Sequence, residues 1–327
     1  MIISRTPLRI SLGGGGTDLP TYYEQRDSGY LIAAAIDKYV YVALNRNFDN
    51  QIFLRYSSYE RADRTDDVQH PILRECLKTI GVEHSIEISS MADIPSGTGL
   101  GSSGSFTVGV LKALSQYRHL AISNERLAEL ACHIEMNVLL EPVGKQDQYI
   151  AAMGGLTAFQ FRADGTVQST PVQMEDAQRL RLEDNLLLFF TGLRRAASDS
   201  LTEEKKGMSS PGSSNLANLD QMRELGYETT RCLEKGDLMT FGELLTNQWK
   251  LKHQRQPSPL HDQIDEWIEE GCQSGAAGGK LVGAGGGGFL LFYAEDKSRL
   301  RQAMSQRGLV EVPFHFDYEG STVLVSR

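Results

Sequence analysis

The sequence predicts an α+β fold in two domains, and two features of the chain support this prediction. The chain has 327 residues, which exceeds the usual size of a single domain. Strand-like and helix-like segments are mixed along it, but too irregularly for a doubly wound parallel sheet. We therefore expect two α+β domains, residues 1–175 and residues 176–327, with the boundary between the strand-like segments on either side of residue 175.

The first domain is predicted to begin with strands and to continue with helices. Its strand-like segments are β-branched and aromatic, or alternate between polar and apolar residues. They are residues 8–12, 30–36, 39–44, 85–89 and 156–161. Two segments have helical spacing, residues 106–117 and residues 124–138, and Ser123 or Asn124 is placed to cap the second.

The second domain is predicted to be helical in its middle and to end in strands. Helical patterns cover residues 216–233, 238–253 and 260–270, and strand patterns cover residues 186–191, 289–293, 314–318 and 322–325. The polar residues 203–214 are predicted to form a mobile loop, because they combine serines, a proline and a lysine pair. The sequence does not show whether this loop closes over a binding site as a lid.

The composition excludes several classes of function. A net charge of −9 argues against a nucleic-acid partner, because phosphate backbones select basic surfaces. The four cysteines have neither metal-ligand nor CxxC spacing and are expected to be reduced thiols. No segment has the roughly 20 apolar residues of a membrane span, and no signal-peptide pattern occurs. We expect a cytoplasmic protein with no membrane partner, monomeric or homodimeric.

Three glycine-rich segments are the strongest indication of function. They are residues 12–18 (LGGGGTD), 95–106 (PSGTGLGSSGSF) and 281–289 (LVGAGGGGF), and they hold 13 of the 32 glycines. Glycine costs conformational entropy on folding and provides no side chain for packing. Such segments are typical of places where the backbone turns sharply or approaches a ligand closely.

The middle segment has the composition of a phosphate-binding loop. It precedes a helix-like run, and the backbone N–H groups at a helix N-terminus favour an anion. Ser102 and Ser103 add hydroxyl groups for phosphate oxygens or a metal ion. The alternative is a tight strand-to-helix turn with serine caps.

Other nucleotide-binding patterns are weaker. Gly99–Gly104 and Gly283–Gly288 both match GxGxxG, but a strand-like run follows the second. The first precedes a helix and has Glu125 about 20 residues further on, as a dinucleotide site requires. The pattern GxxxxGK[ST] does not occur. A dinucleotide-binding oxidoreductase therefore stays open as an alternative of another class.

Taken in order, the three segments resemble the three motifs of the GHMP kinases, a family that includes galactokinase, homoserine kinase and mevalonate kinase. Residues 6–20 resemble the first motif, residues 95–106 the second and residues 282–288 the third. Gly104-Ser105 depart from the second motif, which usually ends in two other small residues. The resemblance implies an N-terminal ribosomal-S5-like domain and a C-terminal ferredoxin-like domain, with ATP and sugar in the cleft between them.

Within the family, the chain is most similar to the heptose-phosphate kinases and the kinase part of fucokinases. The similarity lies in residues 14–20 and in residues 191–198. It implies an ATP- and Mg²⁺-dependent sugar kinase that phosphorylates the anomeric hydroxyl of D-glycero-D-manno-heptose 7-phosphate. Fucose or another free sugar is the alternative within the family. A kinase-like sugar sensor without turnover is the non-enzymatic alternative.

The resemblance also implies a role for each motif residue. Asp147 is the expected acceptor of the substrate hydroxyl proton, and Arg9 is expected to hold Asp147 ionised and to stabilise the transferring phosphoryl group. Glu135 and Ser103 are the expected Mg²⁺ ligands. The residues expected to bind ATP are Pro95, Gly97, Thr98, Gly99, Leu100, Gly101, Ser102 and Ser103.

The remaining expectations concern the small-molecule sugar or sugar phosphate. Asp18 is expected to accept hydrogen bonds from sugar hydroxyls, and Arg194 and Arg195 to bind a substrate phosphate, because guanidinium groups match its oxygens. Without the motif context, an ordinary exposed charge is the alternative interpretation of each of these residues: Arg194, Arg195, Arg9 and Glu135. The full substrate set is Gly15, Gly16, Thr17, Asp18, Arg194, Arg195 and Gly286.

Overall fold

The computed structural model describes residues 1–193, 214–283 and 287–326, and two sheets organise them. The residues predicted to form a mobile loop, up to residue 213, lie outside the described part. The described strands are β1 (Ile2–Gly13), β2 (Ser28–Arg46), β3 (Ile52–Arg55), β4 (Tyr59–Ala62), β5 (Ile86–Ala92), β6 (Leu156–Arg162), β7 (Val167–Pro171), β8 (Leu186–Phe190), β9 (Ala276–Leu281), β10 (Phe289–Ala294), β11 (Val310–Glu311) and β12 (Thr322–Ser326).

Helices cover the two sheets. They are α1 (Pro20–Tyr23), α2 (Pro71–Ile80), α3 (Ser102–Tyr117), α4 (Asn124–Cys132), α5 (Gln146–Met153), α6 (Asp176–Asn185), α7 (Ser214–Lys235), α8 (Leu238–Arg255), α9 (Pro259–Gln273) and α10 (Lys297–Gln306). A 3₁₀ turn spans Thr65–Asp67, and a π-helical turn spans His133–Val138. In the described part of the chain, no helix is long and apolar enough to span a bilayer.

The larger sheet is built around the 19-residue strand β2. β2 pairs with β1 on one side, and with β6 and then β5 on the other. The sheet order is β12-β1-β2-β5-β3-β4, with β7 beside β6, and only the β3–β5 pair is parallel among the described pairs. The sequence predicted two strands, residues 30–36 and 39–44, where the structure has the single strand β2. The two residues between them, Asp37 and Lys38, form a bulge opposite the Pro7–Leu8 step of β1, and the strand continues through it.

The smaller sheet has the order β11-β8-β10-β9 and is antiparallel throughout. Every residue of β10 is buried, because alternate side chains enter two different apolar clusters. Leu291 packs in the cluster shared with the larger sheet, whereas Leu290 packs in a second cluster with Trp267 of α9. Burial on both faces explains why the sequence of this strand is a continuous apolar run.

The end of the chain differs from the prediction. Residues 314–318 were predicted to be a strand, but they make only one bridge, between Phe316 and Ile36. The side chain of Glu183 accepts the N–H of Phe316, and that of Asp317 accepts the N–H groups of residues 319 and 320. These carboxylates satisfy N–H groups that a sheet partner would otherwise bind.

The last strand crosses back to the larger sheet. β12 pairs with β1, although it follows the elements of the smaller sheet in sequence. The predicted boundary at residue 175 falls between β7 and α6, where the chain leaves the larger sheet. We keep residues 1–175 and 176–327 as the proposed domains, with β12 returning to the sheet of the first.

The helix predicted over residues 124–138 changes its winding halfway. It is α-helical up to Cys132 and π-helical from His133 to Val138, and Ser123 caps it by accepting the N–H of Arg126. The N–H of Leu139 donates to the carbonyl of Ile134, a bond that spans five residues. Single π-turns of this kind often lie at functional sites, and this one contains Glu135.

Candidate active site

A cavity of about 600 Å³ is bounded by residues of both proposed domains. We call the side formed by residues 1–175 the N-terminal wall and the side formed by residues 176–327 the C-terminal wall. The charged residues of the N-terminal wall are Arg9, Asp18, Glu135 and Asp147, and the charged residues of the C-terminal wall are Lys252, Arg255 and Lys280. Among the described lining residues, all three carboxylates are thus on one wall.

The predicted phosphate loop lies in the N-terminal wall and leads directly into α3. Gly97, Gly99 and Gly101 have φ values of 75°, 84° and 75°, which favour glycine. A Cβ at Gly101 would lie 3.1 Å from Arg9 Cγ and 3.2 Å from Asp147 Cγ. Glycine at the N-cap of α3 therefore allows the helix N-terminus to open onto the cavity beside these two side chains.

The residues predicted to bind ATP divide into two groups. Gly97, Gly99, Gly101, Ser102 and Ser103 line the cavity. Pro95, Thr98 and Leu100 do not: Leu100 is completely buried in the core, and the hydroxyl of Thr98 donates to the carbonyl of Pro95 at 3.0 Å. The structure therefore places these three residues where they shape the loop, and leaves the other five facing the cavity.

Arg9 and Asp147 form an ion pair at the end of this loop. Nε of Arg9 donates to Oδ1 of Asp147 at 2.8 Å, and a terminal nitrogen donates to the carbonyl of Gly99 at 2.6 Å. Arg9 is only 6% exposed, so little water weakens its charge. The backbone N–H of Arg9 donates to the carbonyl of Leu100 at 3.0 Å. The pair predicted from the motifs is thus assembled on the phosphate loop.

Gly104 allows α5 to bring Asp147 to this position. A Cβ at Gly104 would lie 2.8 Å from Asp147 Cβ and 3.0 Å from its carbonyl carbon. The next residue, Ser105, is buried and donates to the carbonyl of Pro7 at 2.7 Å, which joins α3 to β1. The departure of Gly104-Ser105 from the usual motif therefore fits a very close contact between α3 and α5.

Glu135 reaches the start of α3 from the π-turn. Its Oε2 accepts the hydroxyl of Ser103 at 2.6 Å, and the residue is 1% exposed. Burial raises the pKa of Glu135, although Ser103, Thr107 and Gln148 lie close enough to oppose this shift. Its Oε1 makes no direct hydrogen bond with any described residue. A buried carboxylate oxygen without a donor suits a hard cation.

The first glycine segment forms another part of the N-terminal wall. Gly15, Gly16 and Asp18 line the cavity, and Asp18 Oδ2 accepts the N–H of Gln146 at 3.1 Å. Asp18 is therefore linked to the start of the helix that carries Asp147. Thr17 differs from the prediction: it is fully buried, and its single hydroxyl hydrogen is shared between the carbonyls of Gly14 and Tyr30, each 2.8 Å from Oγ1. Thr17 therefore holds the loop and does not face the cavity.

Motif analysis did not identify the cationic residues of the C-terminal wall. Gln248, Lys252 and Arg255 lie at positions i, i+4 and i+7 of α8, so they share one helix face. Nζ of Lys280 in β9 donates to Oε1 of Gln248 at 3.0 Å. Burial and the neighbouring charges of Lys252 and Arg9 lower the pKa of Lys280 to about 7. The helical spacing was the only sequence feature that pointed to this face.

One end of the cavity is apolar and aromatic. The ring of His70 stands edge-on to Tyr56, with 4.7 Å between centroids, and lies 5.4 Å from that of Phe106. Ile72 and Met91 also line this end. Burial lowers the pKa of His70, which favours the neutral ring. The sequence contains no motif for this group, because its members come from four separate segments.

The third glycine segment packs against the phosphate loop. A Cβ at Gly283 would lie 2.5 Å from Gly99 Cα, and one at Gly288 would lie 2.0 Å from the carbonyl oxygen of Thr98. This segment therefore brings the backbone of the second proposed domain into contact with the loop of the first. Three predicted substrate residues, Arg194, Arg195 and Gly286, lie outside the described residues.

Comparison with known proteins agrees with this architecture. The N-terminal domain of the GHMP kinases matches residues 69–155, and their C-terminal domain matches residues 229–308. A D-glycero-α-D-manno-heptose 7-phosphate kinase of Campylobacter jejuni is 29% identical, over 98% of this chain and 97% of its own. A bifunctional L-fucokinase/L-fucose-1-P guanylyltransferase of Bacteroides fragilis is 27% identical, over 94% of this chain and 36% of its own.

A solved structure has the same fold over the whole chain. The crystal structure of a D-glycero-D-manno-heptose 1-phosphate kinase from Bacteroides thetaiotaomicron matches with a TM-score of 0.81 at 22% identity, covering 100% of both chains. The dinucleotide-binding oxidoreductase is excluded, because both domain matches are to kinases. The chain belongs to the GHMP kinase family, and it is an ATP-dependent phosphotransferase.

Proposed function

We propose that this protein is a sugar kinase that transfers the γ-phosphoryl group of ATP to the anomeric hydroxyl of D-glycero-D-manno-heptose 7-phosphate. The observation that carries the proposal is the ion pair of Arg9 and Asp147, held at 2.8 Å beside the N-terminus of α3. The Campylobacter jejuni relative, which matches nearly the full length of both chains, supports the choice of substrate.

We propose that ATP binds with its adenine ring at the aromatic end of the cavity and its phosphates along the loop. The aromatic end formed by Tyr56, His70 and Phe106 suits the adenine ring, because aromatic side chains offer faces and edges for stacking. The phosphates would then follow the loop to the N-terminus of α3, where backbone N–H groups and the helix dipole favour negative charge. In this orientation the γ-phosphoryl group lies at the Arg9–Asp147 end of the loop.

Asp147 is the proposed general base. The anomeric oxygen forms a bond to the γ-phosphorus, the bond to the β–γ bridging oxygen breaks, and ADP leaves. Asp147 accepts the proton of the sugar hydroxyl, and its ion pair with Arg9 holds the carboxylate in position. Arg9 is always protonated, so it acts as a charge and hydrogen-bond donor toward the phosphoryl group.

The residues around Glu135 fit Mg²⁺. The hydroxyl of Ser103 and the carboxylate of Glu135 are hard oxygen donors, and Oε1 of Glu135 is buried without a partner among the described residues. The described part of the chain contains no cluster of three or more metal-ligating side chains, which suits an ion held mainly by phosphate and water. When bound, Mg²⁺ neutralises charge on the phosphates.

The sugar is proposed to bind next to Asp18. Its carboxylate is bonded to the N–H of Gln146, adjacent to Asp147, so a sugar held by Asp18 lies close to the base. Gly15 and Gly16 leave room for the sugar ring in the same wall. Arg194 and Arg195 lie outside the described residues. Their binding of the substrate's own phosphate therefore stays a prediction from the sequence.

Fucose is the second candidate substrate. The fucokinase of Bacteroides fragilis and a bifunctional fucokinase of Arabidopsis thaliana each match 94% of this chain, at 27% and 25% identity. A free sugar has no phosphate of its own, so it offers no anionic group to the predicted ligands Arg194 and Arg195. The Campylobacter jejuni relative, at 29% identity over 98% of this chain, favours a phosphorylated sugar.

ADP release over a panel of sugars separates these candidates. The panel contains D-glycero-D-manno-heptose 7-phosphate, the same heptose without phosphate, L-fucose, galactose and mevalonate. We expect the heptose phosphate to have the highest kcat/KM. A higher value for L-fucose would assign the fucokinase activity instead, and turnover of none of these would overturn the proposed substrate class.

A further inference from the structure

Lys280 is a buried cation that the proposed mechanism does not yet use. It is 6% exposed, and within the described residues its ammonium group donates one hydrogen bond, to Oε1 of Gln248. No carboxylate of the described residues pairs with it. A buried ammonium group without a counter-ion is costly, and a bound anion would offset this cost.

Two further cations share this part of the cavity. Lys252 and Arg9 are both close enough to lower the pKa of Lys280, after the larger effect of its burial. Arg9 is already paired with Asp147, so an anion bound here would mainly weaken the repulsion between Lys252 and Lys280. The arrangement therefore has the features of a site for a highly charged anion.

The contacts of these cations place the anion next to the phosphate loop. Lys252 donates to the carbonyl of Gly283, which packs directly on Gly99. Arg9 donates to the carbonyl of Gly99 and to Asp147. The anion that reaches this point in a kinase is the terminal phosphate of the nucleotide, since the base and the loop meet here.

We propose that Lys280, together with Lys252, binds the transferring γ-phosphoryl group from the C-terminal wall, as Arg9 does from the N-terminal wall. In this position the two lysines stabilise the charge on the phosphoryl oxygens while the group passes from ADP to the sugar oxygen. The inference rests on ATP-dependent phosphoryl transfer, but not on the identity of the sugar.

Proton uptake on nucleotide binding tests the contact directly and needs no sugar. At pH 8 most Lys280 is neutral in the free enzyme, because its pKa is about 7. A γ-phosphate beside it raises that pKa, so the lysine takes up a proton. We would titrate Mg·AMPPNP and Mg·ADP by calorimetry in two buffers of different ionisation enthalpy, using wild type, Lys280→Arg and Lys280→Met.

Wild type is expected to take up more protons, by up to about one, with Mg·AMPPNP than with Mg·ADP. Mg·AMPPNP can itself gain or lose protons on binding, and this contribution is the same in the wild type and in both variants. The additional uptake that we assign to Lys280 should therefore be seen in the wild type and be absent from Lys280→Arg and Lys280→Met. Equal uptake by wild type and variants would overturn the proposal, whatever the sugar substrate is.

Kinetics provide an independent measurement. Lys280→Met should lower kcat by about 10²-fold with every accepted sugar, the size of effect of losing one oxyanion donor. Lys280→Arg retains a cation and should lose less. Lys112→Met is the matched control, because Lys112 is a half-buried lysine of α3 outside the cavity, bonded to Asn124.

Thermal unfolding distinguishes this role from a purely structural one. Met in place of Lys280 removes a buried charge, so the midpoint should not fall. A lowered midpoint with unchanged kcat would mean that Lys280 only holds Gln248, and would overturn the proposal. A loss of rate confined to phosphorylated sugars would also overturn it, since it would assign Lys280 to the substrate's own phosphate.

Discussion

The two walls of the cavity differ in charge and in how the sequence encodes them. The N-terminal wall contains Asp18, Glu135, Asp147 and the backbone of the phosphate loop, positioned by glycine-rich motifs. The C-terminal wall presents Lys252, Arg255 and Lys280, positioned by one helix face and one strand. Under the proposed function, the N-terminal wall would accept the proton and hold the metal, and the C-terminal wall would add positive charge for phosphate.

The largest expected effect comes from the N-terminal wall. Asp147→Asn keeps the size of the side chain but removes the proton acceptor, so kcat should fall by about 10³-fold. Binding of ATP should change little, because the phosphate loop is untouched. Steady-state ADP release and a nucleotide titration measure the two quantities.

The matched control for this change is Asp176→Asn. Asp176 also lies in the first turn of a helix, α6, but is exposed and remote from the cavity. It should behave like wild type. A kcat of Asp147→Asn within tenfold of wild type would contradict the assignment of the base.

A smaller effect is expected from changing the distance between α3 and α5. Gly104→Ala inserts a Cβ at 2.8 Å from Asp147 Cβ, so α5 has to shift. A displacement near 1 Å at a catalytic group lowers the rate by about 10²-fold. We expect kcat to fall by about 10- to 100-fold, with a smaller change in the KM for ATP.

Gly109→Ala is the control within the same helix. Its Cβ would lie 2.8 Å from Thr6 Oγ1, so it introduces a similar clash with β1 instead of with Asp147 of α5. Both variants should lower the unfolding midpoint, but only Gly104→Ala should lower kcat. Equal losses of kcat would indicate a general disturbance of α3.

The sequence predicted the N-terminal wall well because its geometry depends on short motifs. The pairing of Arg9 with Asp147, 138 positions apart, was expected from the resemblance and is found at 2.8 Å. Thr17, Thr98 and Leu100 share those motifs but point into the protein, and a motif alone does not distinguish a ligand contact from a loop contact.

The C-terminal wall was not predicted, for a physical reason. Lys252 and Lys280 are ordinary residues in the sequence, and only packing makes them unusual. Lys280 follows four small residues in β9, and its burial depends on the approach of α8 and β1. Similarly, the prediction of a strand at residues 314–318 was wrong, because the side chains of Asp37 and Glu183, distant in sequence, accept N–H groups of this segment.

The charge of the C-terminal wall predicts a pH dependence. The pKa of Lys280 is lowered to about 7, so its cation is present below that pH and is lost as the pH rises through it. Lys252 and Arg9 are the charged groups that face Lys280, and each of them lowers its pKa. The kcat/KM for ATP should therefore fall by up to about tenfold per pH unit above pH 7.

Lys280→Arg separates this effect from other titrations. Arginine stays charged over the whole range, so the alkaline fall should disappear in this variant. The same alkaline fall in wild type and Lys280→Arg would show that another group is responsible.

The smallest expected effect lies at the aromatic end of the cavity. Phe106→Ala removes a ring that packs beside His70, at 5.4 Å between centroids. Loss of one aromatic contact costs about 1 kcal/mol, so the KM for ATP should rise about fivefold while kcat changes little. An unchanged KM for ATP would place adenine elsewhere.

The central claim is that the two walls together transfer a phosphoryl group from ATP to the anomeric oxygen of a sugar phosphate. ³¹P NMR of the reaction with D-glycero-D-manno-heptose 7-phosphate tests it most directly. We predict a second phosphate resonance coupled to the anomeric proton, appearing together with ADP. ADP without that resonance, or a new phosphate coupled to any other sugar proton, would contradict the claim.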